Sequence, residues 1–95
     1  MVDVRRLVLD LLKPHEPDVV TFAESLADRE GVAGVNVVLV ETDKEVQNVK
    51  MTLEGDSIPV DAVHDAVNDL GGTVHSIDEV VCGETVVEES KTPQD

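Results

Sequence analysis

The 95-residue chain is poor in aromatics, cysteine and basic residues. Phe22 is its one aromatic residue. The 41% hydrophobic content is reached with Val, which fills 20 positions. Val is β-branched and fits a pleated sheet, so the bias favours strands. A lone cysteine, Cys82, excludes an internal disulfide and argues against an extracellular setting. Seven Lys plus Arg against 21 Asp plus Glu excludes nucleic-acid binding through clustered phosphate contacts. The same balance is repelled by anionic membrane surfaces. No run approaches the ~18 consecutive apolar residues of a membrane span. Arg5 and Arg6 lead straight into a strand pattern, not into the apolar core of a signal peptide. A soluble, cytoplasmic, single-domain protein is expected.

Acid is what the chain has in excess. The formal net charge is -14. Self-repulsion of that size opposes a compact state unless salt screens it. At molar salt the Debye length falls to about 3 Å, and exposed carboxylates stop repelling strongly. The composition therefore predicts a salt-rich, halophilic cytoplasm; the rival reading is an acidic protein from a mesophile that binds cations or a basic partner. A chain this short also buries only about 60–65% of its unfolded surface, so further burial through self-association would help it.

Leu7, Leu9 and Leu11 share one face at period two and predict a first strand over residues 4–12. Pro14 and Pro17 end it, and Pro17 is placed to open a helix. Val19, Val20, Phe22, Ala23, Leu26 and Ala27 have helical spacing, with Gly31 as a stop. Val35 to Val40 form a second strand, and residues 41–45 a polar turn. Val49, Met51 and Leu53 alternate with polar residues in a third strand. Pro59 opens a second helix carrying Val60, Val63, Ala66, Val67 and Leu70, closed by Gly71-Gly72. Residues 73–82 form a fourth strand. The order β-α-β-β-α-β predicts an α+β, ferredoxin-like sandwich, strand order 4-1-3-2, with both helices on one face. Residues 1–82 make the domain. Residues 83–95 are an acidic tail, mobile or adding a short strand to a neighbour through Val86 and Val87. Val8, Leu12, Val38 and Val40 are candidates for the helix-free face, as an apolar patch for contact with another subunit, the alternative being scattered exposed valines.

Three segments are distinctive: residues 5–17, Arg-Arg-Leu-Val-Leu-Asp-Leu-Leu-Lys-Pro-His-Glu-Pro; residues 31–36, Gly-Val-Ala-Gly-Val-Asn; and residues 75–80, His-Ser-Ile-Asp-Glu-Val. With them the chain closely resembles an archaeal family of small ferredoxin-like proteins, catalogued as domain of unknown function 211. The resemblance covers residues 4–82. It implies a cytoplasmic protein assembled into ring-like homo-oligomers, with no established activity and no catalytic residues to carry over. It allows bound divalent cations, calcium in particular. The acidic surface looks like a haloarchaeal version of the family.

Candidate site residues gather, on this reading, at one end of the sheet. Strand four runs antiparallel to strand one, which puts His75 beside Lys13. Strand three is expected parallel to strand one, which would bring Glu54 to the same end, with His15 and Glu16 in the loop beyond. Lys13, His15, Glu16 and His75 are thus candidate ligand-binding residues. His15, Glu16, Glu54 and His75 are candidate metal ligands, because imidazole with carboxylate suits zinc, nickel or iron. The competing reading makes His15 a residue that orders its loop and His75 a surface residue.

Asp78 and Glu79 are further candidate cation ligands. Strand periodicity, however, puts His75 and Asp78 on opposite faces and His75 about 13 Å from Glu79. Pairing of Asp78 or Glu79 with Arg5 or Arg6 across strands four and one is the alternative. Asp61, Asp65 and Asp69 recur every four residues as an acidic helix face, read as solvated. Cys82 is read as a buried or inert thiol. No G-x-S-x-G, Walker loop or G-x-G-x-x-G is present.

The readings are therefore three. The first is a non-enzymatic, ring-forming oligomer that binds a small ligand or divalent cation between subunits. The others are a metal-dependent enzyme or metal-handling protein using His15, Glu16 and His75, and a ligand-sensing regulatory subunit.

Overall fold

A computed structural model describes residues 2–90. The elements are β1 (Val4–Pro14), α1 (Val19–Ala27), β2 (Gly34–Thr42), β3 (Val46–Glu54), α2 (Val60–Asp69) and β4 (Thr73–Cys82). The four strands form one sheet in the order β2-β3-β1-β4, and every neighbouring pair is antiparallel. This is the ferredoxin-like βαββαβ fold, read from the other edge as 4-1-3-2.

Strand periodicity builds the core. Leu7, Leu9 and Leu11 of β1 stand directly opposite Leu53, Met51 and Val49 of β3. All six are buried, together with Phe22 and Leu26 of α1, Val63, Ala66 and Val67 of α2, and Ile58. Each of the larger of these side chains contributes roughly 1.5–3 kcal/mol when taken out of water. The intervening residues Arg6, Val8, Asp10 and Leu12 fall on the face away from the helices, as the two-residue alternation requires.

β1 runs two residues past the predicted end. Lys13 pairs with Gln47, and Pro14 with Val46. Pro17 does not open α1. It follows a cis peptide bond, and Asp18 caps the helix by accepting the Thr21 N–H at 2.8 Å. A carboxylate at this position satisfies a helix donor that has no partner inside the helix. α1 ends at Ala27, well before Gly31. Gly31, at φ 91, instead lets the loop press against the Ser57 carbonyl, where a Cβ would clash. α2 ends as the sequence predicts. Gly71 adopts φ 87, its N–H reaches the Asn68 carbonyl at 3.0 Å, and Gly72 N–H reaches Val67 at 2.9 Å. These two bonds make a Schellman cap.

β4 is irregular. Its register against β1 shifts at three places, leaving Arg5 on β1 and His75 and Asp78 on β4 without a direct partner. Such bulges break the strict alternation of faces. The expectation that His75 and Asp78 point to opposite faces therefore does not apply, because two extra residues lie in that stretch.

No helix among the described residues is long and apolar enough to cross a membrane.

Candidate functional site

The direction of β3 separates the predicted metal set. β3 is antiparallel to β1, since a hairpin joins it to β2, and Glu54 lies opposite Arg6 at the start of β1. The expected parallel arrangement is wrong, and Glu54 sits at the far end of the sheet from Lys13 and His15. His15 leans the other way from β4: its Nε2 donates to the Asp43 carbonyl, in the β2–β3 turn, at 2.7 Å. His75 lies across β1, exposed on the outer strand β4. Glu16 is exposed in the loop. The four candidates are not brought together. Among the described residues, no group of three or more His, Cys, Asp or Glu side chains is placed to hold a metal ion.

Lys13 is not a ligand-facing residue. It continues the inward series of Leu7, Leu9 and Leu11, and its side chain is 0% exposed. The Nζ donates to the Pro14 carbonyl and to Gln47 Oε1, both at 2.8 Å, and stands 5.9 Å from the centre of the Phe22 ring. Desolvation lowers its pKa below the usual lysine value, while the charges of Asp18 and Glu16 pull in the opposite direction. A lysine at the end of an inward-facing strand can keep its stem in the core while its head meets polar acceptors at the rim. The ammonium here is enclosed and bonded to neutral acceptors, which makes it structural.

The densest side-chain network lies on the helix-free face at the opposite end, around Arg6. Its Nε donates to Glu54 at 2.8 Å, and its two terminal nitrogens donate to the two oxygens of Glu88 at 2.9 and 3.0 Å. Glu79, the cross-strand candidate, stands 3.7 Å away. Its cross-strand pairing with arginine is thus present, and Asp78 instead accepts the Ser76 hydroxyl at 2.7 Å. The hydrogen bonds that Arg6 donates to Glu88 and Glu54 hold the guanidinium pKa above its already high value. Glu88 lies outside the strands. Its clasp ties the segment after Cys82 to β1; on the same face Val8 and Val81 are only 6% and 5% exposed although no helix covers them.

The same segment starts with a fixed turn. Gly83 N–H donates to the Asp3 carbonyl, and Arg5 donates to the Gly83 and Glu84 carbonyls at 3.3 and 2.8 Å. Residues 83–90 form no strand, and residues 91–95 lie outside the described residues. This return of the chain escaped the sequence reading. Its one visible signal is a run of two valines followed by Glu88, beyond the last strand, in a chain whose first strand carries two arginines.

The other half of that face is uncovered. Leu12, Val38, Val40 and Val46 are exposed. A shallow groove of about 260 Å³ runs between Leu12, Val46, Asn48 and the residues 41–43. Asn48 is held in place by Asp10 at 2.6 Å and by the Leu11 carbonyl at 3.0 Å. A larger groove of about 520 Å³, lined by Val2, Asp3, Arg5, Asp56, Gly83 and Glu84, opens beside the turn. Cys82 is an exposed free thiol, not a buried one. Asp61, Asp65 and Asp69 are all exposed on α2.

Fold and surface together define a small ferredoxin-like α+β domain with one sheet face left without helices. Residues 5–95 match the family described as "DUF211: Uncharacterized ArCR, COG1888", and the chain belongs to that family. The chain is 48% identical over 95 residues to "Uncharacterized protein MJ0319" of Methanocaldococcus jannaschii, covering 100% of this chain and 98% of that protein.

Proposed function

We propose that this chain is a non-enzymatic subunit of a ring-forming homo-oligomer in a salt-rich cytoplasm, and that it holds a small ligand or a divalent cation such as calcium between subunits. The observation that carries this reading is the uncovered half of the helix-free face. Leu12, Val38, Val40 and Val46 leave apolar surface in water there, beside a groove with a fixed polar group, Asn48. A small domain gains stability by burying such a patch against another copy. The carboxylates at positions 61, 65 and 69 face solvent, which supports salt adaptation in place of a site on α2.

Sedimentation equilibrium in molar KCl tests the assembly, and elemental analysis of untagged protein tests the cation. A clean monomer at micromolar concentration would sink the oligomeric reading. Protein that gains no divalent cation on assembly would remove the cation, leaving thermal-shift screening of metabolites to find a small ligand.

A further inference from the structure

The two outer strands of the sheet differ in how their edges are guarded. An outer strand presents unpaired backbone groups, and proteins commonly protect it with charges, proline or bulges. β4 has such protection: two bulges, at His75 and Asp78, and the carboxylates of Asp78 and Glu79. β2 has almost none. Its register against β3 is regular from Gly34 to Leu39, with a single shift before Glu41. Residues 31–40 contain no charged residue, in a chain that is 29% charged. Val38, Leu39 and Val40 are all exposed, Val38 at 49% and Leu39 at 46%.

Charge decides what fits this edge. At -14, two copies repel wherever both bring carboxylates. Along residues 34–40 neither does. Antiparallel pairing of the segment with itself would place only Gly, Val, Asn and Leu against each other. That pairing also follows from a two-fold axis, which sets the same patch of each copy against the other in opposite directions.

We propose that β2 is a strand-pairing edge whose partner is β2 of a second copy of this chain, joined antiparallel along residues 34–40 into one continuous sheet. This rests on the self-association reading above and names its contact. A two-fold contact closes on itself, so a ring needs a further head-to-tail contact elsewhere on the subunit.

Two substitutions separate an edge contact from a face contact. Val38, opposite Lys50, faces away from the helices, whereas Leu39, opposite the buried Val49, faces toward them. Both lie on the same edge. Sedimentation equilibrium of the full chain in molar KCl is compared for wild type, Val38→Lys and Leu39→Lys, with hydrogen exchange of the amides 34–40 followed as concentration rises. Each substitution is expected to weaken self-association by about tenfold or more, since it puts a hydrated lysine charge into an otherwise uncharged strand edge. Alternate amides of residues 34–40 are expected to gain protection as wild type assembles.

Weakening by Val38→Lys alone, with amides 34–40 unprotected in the assembly, points to a face contact and overturns the edge. Full assembly of both variants also overturns it while leaving self-association intact. A wild type that stays monomeric at millimolar concentration removes self-association and the edge together. Should Leu39→Lys unfold the chain, the amide exchange of wild type still decides.

Discussion

The Arg6 guanidinium on β1 donates to both carboxylate oxygens of Glu88, 82 residues further along the chain. Bidentate arginine–carboxylate pairs are directional as well as strong, so the contact fixes a position and not merely a charge balance. What it positions is the irregular segment after Cys82. Glu54 and Glu79 complete a ring of three carboxylates around one cation. In a chain with few bases, Arg6 is therefore fully committed to holding strands and tail together.

Glu88→Ala should free residues 84–90 without unfolding the sheet. Backbone order parameters by NMR are expected to fall from sheet-like values to below about 0.6 in that segment, with the methyls of Val8 and Val81 becoming accessible to a paramagnetic solvent probe. Unchanged order parameters would show that the clasp does not hold the segment. Acid should have a similar effect. Arg6 holds the Glu88 carboxyl below the usual glutamate range, chiefly by its hydrogen bonds and then by its charge. A depressed carboxylate pKa gives a contribution that is complete above the unfolded value and lost as pH falls through the folded one. The segment is thus expected to loosen only on the acid side of the normal glutamate range.

Gly71→Ala should destabilise the domain by about 1–2 kcal/mol, because a side chain at φ 87 is strained. The new Cβ would also approach Pro14 Cγ at 3.2 Å. Urea denaturation at fixed salt measures the difference. A loss within error of zero would show that the α2 cap relaxes to another geometry.

Much of this architecture was legible because it is written locally. Leu7, Leu9 and Leu11 alternate, the α2 face repeats at helical spacing, and Gly71-Gly72 sits where a helix must turn back. The rest is nonlocal or breaks a period. Lys13 looks like a polar residue ending an apolar strand, yet two more residues of pairing carry it into the core. The bulges at His75 and Asp78 leave no mark in a segment where polar and apolar residues already mix. The end at which Glu54 lies follows from strand direction: a β2–β3 hairpin beside a β1–α1–β2 crossover forces β3 against β1 in the antiparallel sense, and so places Glu54 away from Lys13. Glu88 met Arg6 only through the full length of the chain.

Lys13 should reveal its burial through pH and through the choice of replacement. Lys13→Ala leaves a cavity under Phe22 and is expected to cost about 2–4 kcal/mol. Lys13→Met keeps the stem and removes a desolvated charge, so its cost should be about 1 kcal/mol or less. Equal losses from the two variants would mean that the ammonium's bonds to Pro14 and Gln47 dominate. In wild type the folded lysine has a lowered pKa, mainly from desolvation. Between that value and the ordinary lysine value the unfolded chain holds more protons, so stability rises with pH across that window. Lys13→Met should lack that rise, as urea titrations at increasing alkaline pH would record.

Salt should stabilise the fold itself, apart from any assembly. Residues 51–90 hold no Lys or Arg, so the acids on α2 and β4 have no cation of their own segment to meet. Arg5 and Arg6 serve that half of the molecule from β1, and Arg6 is already surrounded by Glu54, Glu79 and Glu88. The remaining repulsion is exposed and therefore open to screening, which shortens from about 10 Å to about 3 Å between 0.1 and 1 M salt. The midpoint of thermal unfolding is expected to rise steadily with KCl over that range. Measuring at a dilution where the protein is monomeric separates this from mass action by subunits. A midpoint that is flat or falls with KCl would mean that the Arg6 clasp, weakened by the same screening, outweighs the relief of repulsion among the acids.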